Sequence, residues 1–238
     1  MQIIPGIHHL DSIKEVNVYL IIDKNKLILV DTGLPGQAAK ILRYITNLGY
    51  APHSIQYIVI THADLDHMGC VKKLKEACGA QIVIHRDDSS ILRGEHPFKT
   101  IDNFLSPLVK LYLDLWHFEP VLPDILVDQD SQIGSWKIIH TPGHTAGSLC
   151  FYKPGQIVFV GDALRTNRKA KPRPISRRIC VDLKEVHRSL IKLCALEYAV
   201  LLPGHGAPIL QDASQILNKM MQRYPKPYFD RKKILGLY

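Results

Sequence analysis

Five short segments carry side chains of the kinds that bind metal ions: Asp31-Thr32-Gly33, Thr61-His62-Ala63-Asp64-Leu65-Asp66-His67, Thr141-Pro142-Gly143-His144-Thr145, Gly161-Asp162-Ala163 and Leu202-Pro203-Gly204-His205-Gly206. In each of the last four, His or Asp follows directly on a run that reads as a strand. Loops at strand ends let side chains from distant parts of a chain converge. Imidazole nitrogen and carboxylate oxygen suit divalent ions, and four His with up to three Asp suffice for two ions that each keep an open position. Cysteine is absent from the set, which disfavours a closed structural zinc site and favours an open catalytic one. An open position on such an ion holds a water, whose pKa coordination lowers from 15.7 toward about 7. His8, His9, His53, His85, His96, His117, His140 and His187 fall outside these segments and read as structural or surface residues.

The elements that must position these side chains alternate along the chain. Branched apolar runs at 18–22 and 27–30 predict a hairpin across Asp23-Lys24-Asn25-Lys26, and 57–61 and 81–85 predict short buried strands. Helices are predicted over 37–48, stopping at Gly49, and over 68–78, ended by Gly79. In the second half, 138–140, 148–152, 157–160 and 199–202 read as strands, and 183–196 and 209–223 as helices. Between the halves, 86–129 breaks the rhythm: 100–117 places Ile101, Phe104, Leu105, Leu108, Leu111, Tyr112 and Leu115 at helical spacing. That face is expected to pack on the core, with a lid over a pocket or a homodimer contact as the alternatives. Strands and helices in both halves point to α/β or α+β layering.

Composition sets the outer limits. The 238 residues are 46% hydrophobic and 22% charged, and the mean hydropathy is -0.01, so the chain reads as an ordinary globular protein. No apolar run reaches the roughly 18 residues a membrane span needs. The start MQIIPGIHHLDSIK lacks a basic stretch followed by an apolar one, so the expectation is a cytoplasmic protein. Five cysteines without a CxxC pair read as reduced, mostly buried thiols. The net charge of +8 is concentrated: seven Lys and Arg and no acid lie within 165–178, leaving the rest near neutral. A focused patch of that kind suits an anionic small-molecule ligand, with Arg165, Arg168, Arg173 and Arg177 as its candidate contacts.

The ordered set Thr61-His62-Ala63-Asp64-Leu65-Asp66-His67, His144, Asp162 and His205 resembles the hallmark of the metallo-β-lactamase-fold hydrolase superfamily, THxHxDH followed by a His, a bridging Asp and a last His. The resemblance extends from Val18 to about Pro208. It implies an α+β fold, an αββα four-layer sandwich of two mixed β-sheets with helices outside, as a single domain over 1–238 with a helical insertion at about 86–129. It implies that His62, Asp64 and His144 hold one divalent ion, that Asp66, His67 and His205 hold a second, and that Asp162 bridges them. Asp31 resembles the superfamily's buried acid that orients the ligand loop. Asp66 is implied to orient a metal-bridging hydroxide and to pass a proton to the leaving group.

The hallmark has His where this chain has Asp64, giving the variant HxDxDH. A carboxylate is harder and more negative than imidazole, so iron or manganese compete with zinc, the first expectation. At this position the chain resembles flavodiiron relatives, which carry Glu and bind iron. The expected activity is hydrolysis of a small lactone, thioester or other ester. The alternatives are phosphodiester or nucleic-acid cleavage, suggested by the basic segment, and an iron-dependent oxygen- or sulfur-handling protein, suggested by Asp64. Against nucleic acid, no aromatic residue is interleaved with the basic ones.

Overall fold

A computed structural model describes residues 1–24, 26–98 and 118–223. The chain forms two compact units, Met1–Gln129 and Asp130–Tyr238.

The first unit is built on a seven-stranded sheet in sequential order: β1 (Gln2–Ile4), β2 (Ile7–His9), β3 (Tyr19–Asp23), β4 (Lys26–Val30), β5 (Ile55–Val59), β6 (Gln81–His85) and β7 (Ile125–Val127). Strands β1 to β4 run antiparallel, whereas β4–β5, β5–β6 and β6–β7 pair in parallel. Parallel neighbours need crossovers, which here contain α1 (Ala38–Asn47), then α2 (Leu65–Met68) and α3 (Val71–Cys78), then α4 (Ser89–Leu92). Side chains alternate across a strand, so Leu27 and Leu29, Ile58 and Ile60, and Ile82 and Ile84 share one face. They are buried in one core with Ile41 and Ile45 of α1 and Val71 and Leu74 of α3.

The second unit has a five-stranded sheet made of β8 (Gln132–Ile133), β9 (Trp136–His140), β10 (Leu149–Lys153), β11 (Ile157–Gly161) and β14 (Val200–Pro203), in the spatial order β14-β11-β10-β9-β8. Only β11–β14 is parallel. One face packs Cys150, Val158 and Val160 on α5 (Leu183–Cys194) and α6 (Ala213–Arg223) through Val186, Leu190, Leu193 and Leu217. On the opposite side Trp136 stacks on Phe151, their ring centroids 4.8 Å apart. A separate hairpin, β12 (Arg165–Thr166) with β13 (Pro172–Arg173), follows β11.

Two predicted helices differ in their limits. The helix expected over 68–78 starts at Leu65 and breaks at Gly69 and Cys70. There Gly69 lies so close to the Pro35 loop that a Cβ would be 2.4 Å from the proline ring. The helix expected from Ile209 starts at Ala213, because Ile209 exchanges two 2.9 Å backbone hydrogen bonds with Leu201. The predicted helix at 100–117, with its lid and homodimer readings, lies outside the described residues. Near the end of the same segment, Ile125–Val127 forms strand β7.

Cys70, Cys78 and Cys150 are buried and Cys180 and Cys194 partly so, and all five are free thiols. Burial pushes Cys78 up to about 11 and Cys150 up to about 12. Both stay protonated at neutral pH and act as small core residues. No helix among the described residues is long and apolar enough to cross a membrane.

Candidate metal centre

In the first unit the chemistry-bearing side chains lie just past the carboxyl ends of parallel strands, where open sheets place their ligands. Asp31 follows β4, and His62 follows β5 and leads into α2, which carries Asp66 and His67. Asp31 is buried with a positive φ of 61°, a left-handed conformation that Asp tolerates better than most residues. Its backbone N–H donates to Val59 O at 2.9 Å. The turn directs the carboxylate toward its neighbours. Its Oδ1 accepts from the Thr61 backbone N–H at 2.8 Å, and its Oδ2 from the Thr61 hydroxyl at 2.9 Å and from His67 Nδ1 at 2.8 Å.

The Thr61 hydroxyl also lies 3.0 Å from His62 Nδ1. Having given its one proton to Asp31, it accepts from that ring nitrogen. One carboxylate therefore fixes His67 directly and His62 through a hydroxyl, an assignment that follows from the partners of each atom. Both rings are buried and lie 3.9 Å apart, centroid to centroid. Each ring also has its Nε2 near a carboxylate. His62 Nε2 is 3.6 Å from Asp64 Oδ2, and His67 Nε2 is 3.9 Å from Asp66 Oδ2. These separations are too long for hydrogen bonds. They are near the roughly 3.4 Å between two donors bound at about 2.0–2.1 Å on a tetrahedral ion.

The second unit repeats the arrangement. His144 follows β9, Asp162 follows β11, and His205 follows β14. Asp162 is buried and offers its two oxygens to different rings: His144 Nε2 is 3.6 Å from Oδ2, and His205 Nε2 is 3.6 Å from Oδ1. Arg165 donates to Oδ2 through Nε at 3.0 Å and Nη2 at 2.5 Å. All seven ligand candidates belong to groups of His and Asp that could hold a metal ion.

Of the basic residues singled out, Arg165 is thus turned onto Asp162, whereas Arg168, Arg173 and Arg177 are exposed. Sequence reasoning gave no role to Thr61 or Asp88. Asp88 is buried and its Oδ2 accepts from Ala63 N–H at 2.8 Å, holding the chain between His62 and Asp64. The signal available was the one that found the others, an acid just past a strand end. Among the histidines set aside, His8 Nδ1 meets the Tyr44 hydroxyl at 3.0 Å and His140 Nε2 meets Ala146 O at 2.8 Å.

The loop carrying His144 is clamped at Gly143, whose φ is 131°. Its carbonyl accepts from Val181 and Asp182 N–H, both at 2.9 Å, and a Cβ would lie 2.3 Å from the Val186 nitrogen of α5. Gly143→Ala is expected to cost about 2–4 kcal/mol through backbone strain and overpacking. In a thermal melt this reads as a fall of roughly 5–15 °C in Tm. An unchanged Tm would show that the loop is free to move off α5.

A family model for the metallo-beta-lactamase superfamily matches residues 13–205. The probable metallo-hydrolase YflN of Bacillus subtilis (strain 168) is 25% identical, over 90% of this chain and 91% of its own. The hydroxyacylglutathione hydrolase of Pelagibacter ubique (strain HTCC1062) is 32% identical, over 61% of this chain and 50% of its own. Among solved structures, the metallo-beta-lactamase family protein TTHA1429 of Thermus thermophilus superposes with a TM-score of 0.70 at 23% identity, over 94% of this chain and 81% of that one. TTHA1623 in a di-iron-bound form superposes with a TM-score of 0.63 at 27% identity, over 81% and 88%.

Proposed function

Since the chain belongs to the metallo-β-lactamase superfamily of metal-dependent hydrolases and has its α+β fold of mixed sheets and helices, we propose that it is a binuclear esterase or thioesterase acting on a small molecule in the cytoplasm. The whole chain acts as one catalytic domain. His62, Asp64 and His144 would hold one divalent ion and Asp66, His67 and His205 the other, with Asp162 placed to serve both. The observation that carries this reading is the Asp162 carboxylate, whose two oxygens each face a different histidine at 3.6 Å. A carboxylate with one role would not need both.

Two ions held by such donors supply a water acidified to near neutrality and a Lewis acid for the scissile carbonyl. The remaining work falls to the chain. Asp31 keeps both Nδ1 atoms protonated, so that His62 and His67 present Nε2 lone pairs. Asp66, less buried than the histidines, is placed to hold a proton on its carboxylate and deliver it to the leaving oxygen or sulfur. A thioester leads among the substrates, in keeping with the hydroxyacylglutathione hydrolase relative.

Zinc is the first expectation for the metal, with iron in second place on the strength of Asp64 and the di-iron structural neighbour. The test loads the wild-type protein and Asp64→His with equal zinc, iron(II) and manganese, then measures metal per chain and turnover of a thioester, lactone and phosphodiester panel. The wild type is expected to bind two ions and hydrolyse a thioester or lactone. Asp64→His is expected to raise zinc over iron and manganese, since imidazole is the softer ligand. A wild-type protein that takes up no metal would sink the functional reading, and unchanged selectivity in Asp64→His would remove Asp64 from the ligand set.

A further inference from the structure

We propose that the β12–β13 hairpin is an oxyanion dock beside Asp162, and that the substrate of this hydrolase therefore carries a second, anionic group, a carboxylate or a phosphate, in addition to the bond that is cleaved. The inference rests on the hydrolase reading above and narrows its substrate class.

The hairpin is fastened to the metal-ligand candidates of its own unit. Arg165, the first residue of β12, donates twice to Asp162 Oδ2. Thr166 N–H donates to His205 O at 3.1 Å, and its hydroxyl to Ala207 O at 2.6 Å. Close contact is possible only because residue 206 is glycine: a Cβ there would fall 2.0 Å from Thr166 O. The hairpin turn is ordered as well, since Asn167 Oδ1 accepts from Lys169 N–H at 2.8 Å and from Lys171 N–H at 3.0 Å. The hairpin backbone that carries Arg168 and Arg173 is therefore fixed beside His205, with Arg165 on Asp162.

The hairpin register brings two of these charges opposite one another. Arg165 and Arg173 are direct partners across the hairpin, and like charges opposite one another destabilise a strand pair. Arg165 is offset by Asp162. Arg173, Arg168 and Arg177 have no acidic partner among the described residues. Other bases of the protein do have acids: Lys75 pairs with Asp124, Arg86 with Asp128, Arg93 with Glu95 and Arg188 with Glu185, whereas 165–178 gathers seven bases and no acid in fourteen residues. A guanidinium gives a planar fork matched to two oxygens of a carboxylate or phosphate. An anion seated at Arg173 would relieve the repulsion with Arg165 and lie one strand away from the residue that grips Asp162. The anionic group and the scissile bond are therefore a short chain apart in the substrate. The segment 165–178 contains no Phe, Tyr or Trp to stack a base, which favours a small anion over a nucleic-acid strand.

The test compares wild type with Arg173→Gln and Arg173→Lys on three matched thioesters ending in a carboxylate, a phosphate or a neutral amide. In Arg173→Gln the ratio of KM for the charged thioester to KM for the neutral one is expected to rise at least tenfold, the larger rise identifying carboxylate or phosphate. Arg173→Lys is expected to recover part of the loss, and 0.5 M salt to reproduce it in the wild type. A second readout does not need turnover: calorimetric binding of glutarate and methyl phosphate to the metal-loaded protein, expected to weaken at least tenfold in Arg173→Gln. If the wild type hydrolyses no thioester yet binds these anions through Arg173, the dock stands and the thioesterase reading falls. If neither readout changes in Arg173→Gln, or if only a single-stranded oligonucleotide binds in an Arg173-dependent way, the dock proposed here is overturned.

Discussion

Asp162→Asn is expected to leave the protein folded, to remove one bound ion in preference to the other, and to lower kcat/KM by roughly a thousandfold, about 4 kcal/mol of transition-state stabilisation. The asymmetry follows from Arg165. An asparagine has one oxygen and one amide nitrogen, and the nitrogen cannot sit at the Oδ2 position, where it would face two guanidinium donors at 2.5 and 3.0 Å. The oxygen therefore stays on the side of Arg165 and His144, and the NH2 group is turned toward His205 Nε2. The ion shared with His205 should be lost first, and the one shared with His144 retained more tightly. Metal analysis of the variant, alone and combined with His205→Ala or His144→Ala, reads this directly. His205→Ala should add little to the metal loss, whereas His144→Ala should empty the remaining site. Two ions per chain and near-normal turnover in Asp162→Asn would mean that the carboxylate serves Arg165 and not the metals.

Asp31→Asn should lower metal affinity about 10–100-fold, the usual scale for a residue that orients a ligand without binding the ion. The substitution is a clean probe because asparagine tolerates the left-handed backbone at position 31, where φ is 61°; alanine would add strain. In the native site the carboxylate accepts from Thr61 N–H, the Thr61 hydroxyl and His67 Nδ1. An amide must point its NH2 group at one of these donors. If it meets His67, the ring is pushed to the tautomer with its proton on Nε2, the atom needed for coordination. Leaving a buried donor without its acceptor should also cost about 1–3 kcal/mol of stability. Thr61→Val supplies the control: it removes only the hydroxyl that connects Asp31 to His62, so its effect should fall on the His62 ion alone. Competition against a zinc chelator resolves the two. Equal affinities in Asp31→Asn and wild type would show that packing alone orients the rings.

The central strands were legible because parallel strands covered on both faces read as unbroken apolar runs, as in Ile82–Ile84. The shortest strands were not: β1, β2, β7 and β8 are two or three residues long and too short to show a period. The strand-end placement of His62, His144, Asp162 and His205 could be read from the runs before them. How Asp31 reaches two rings could not, since it depends on a left-handed backbone and on a threonine hydroxyl thirty residues away in sequence. Nor could the turning of Arg165 onto Asp162. The basic run announced charge, but the hairpin pairing that separates Arg165 from its exposed neighbours is a matter of register, and two-residue strands leave no pattern in the sequence.

Strand β4 pairs antiparallel with β3 on one side and parallel with β5 on the other, and that change of direction bears on the order in which the first unit assembles. The β3–β4 hairpin closes from Asp23 to Lys26 with five registered pairs, so its loop entropy is small and it can form early. The pairing of β4 with β5 must wait for the crossover through α1, and that of β5 with β6 for the crossover through α2 and α3. Contacts that span more chain form later. Asp31 and His67 are joined only once the crossover through α1 is closed and α2 has formed beyond β5. The buried carboxylate–imidazole contact thus belongs to the later, longer-range stage of assembly and not to the hairpin that starts it.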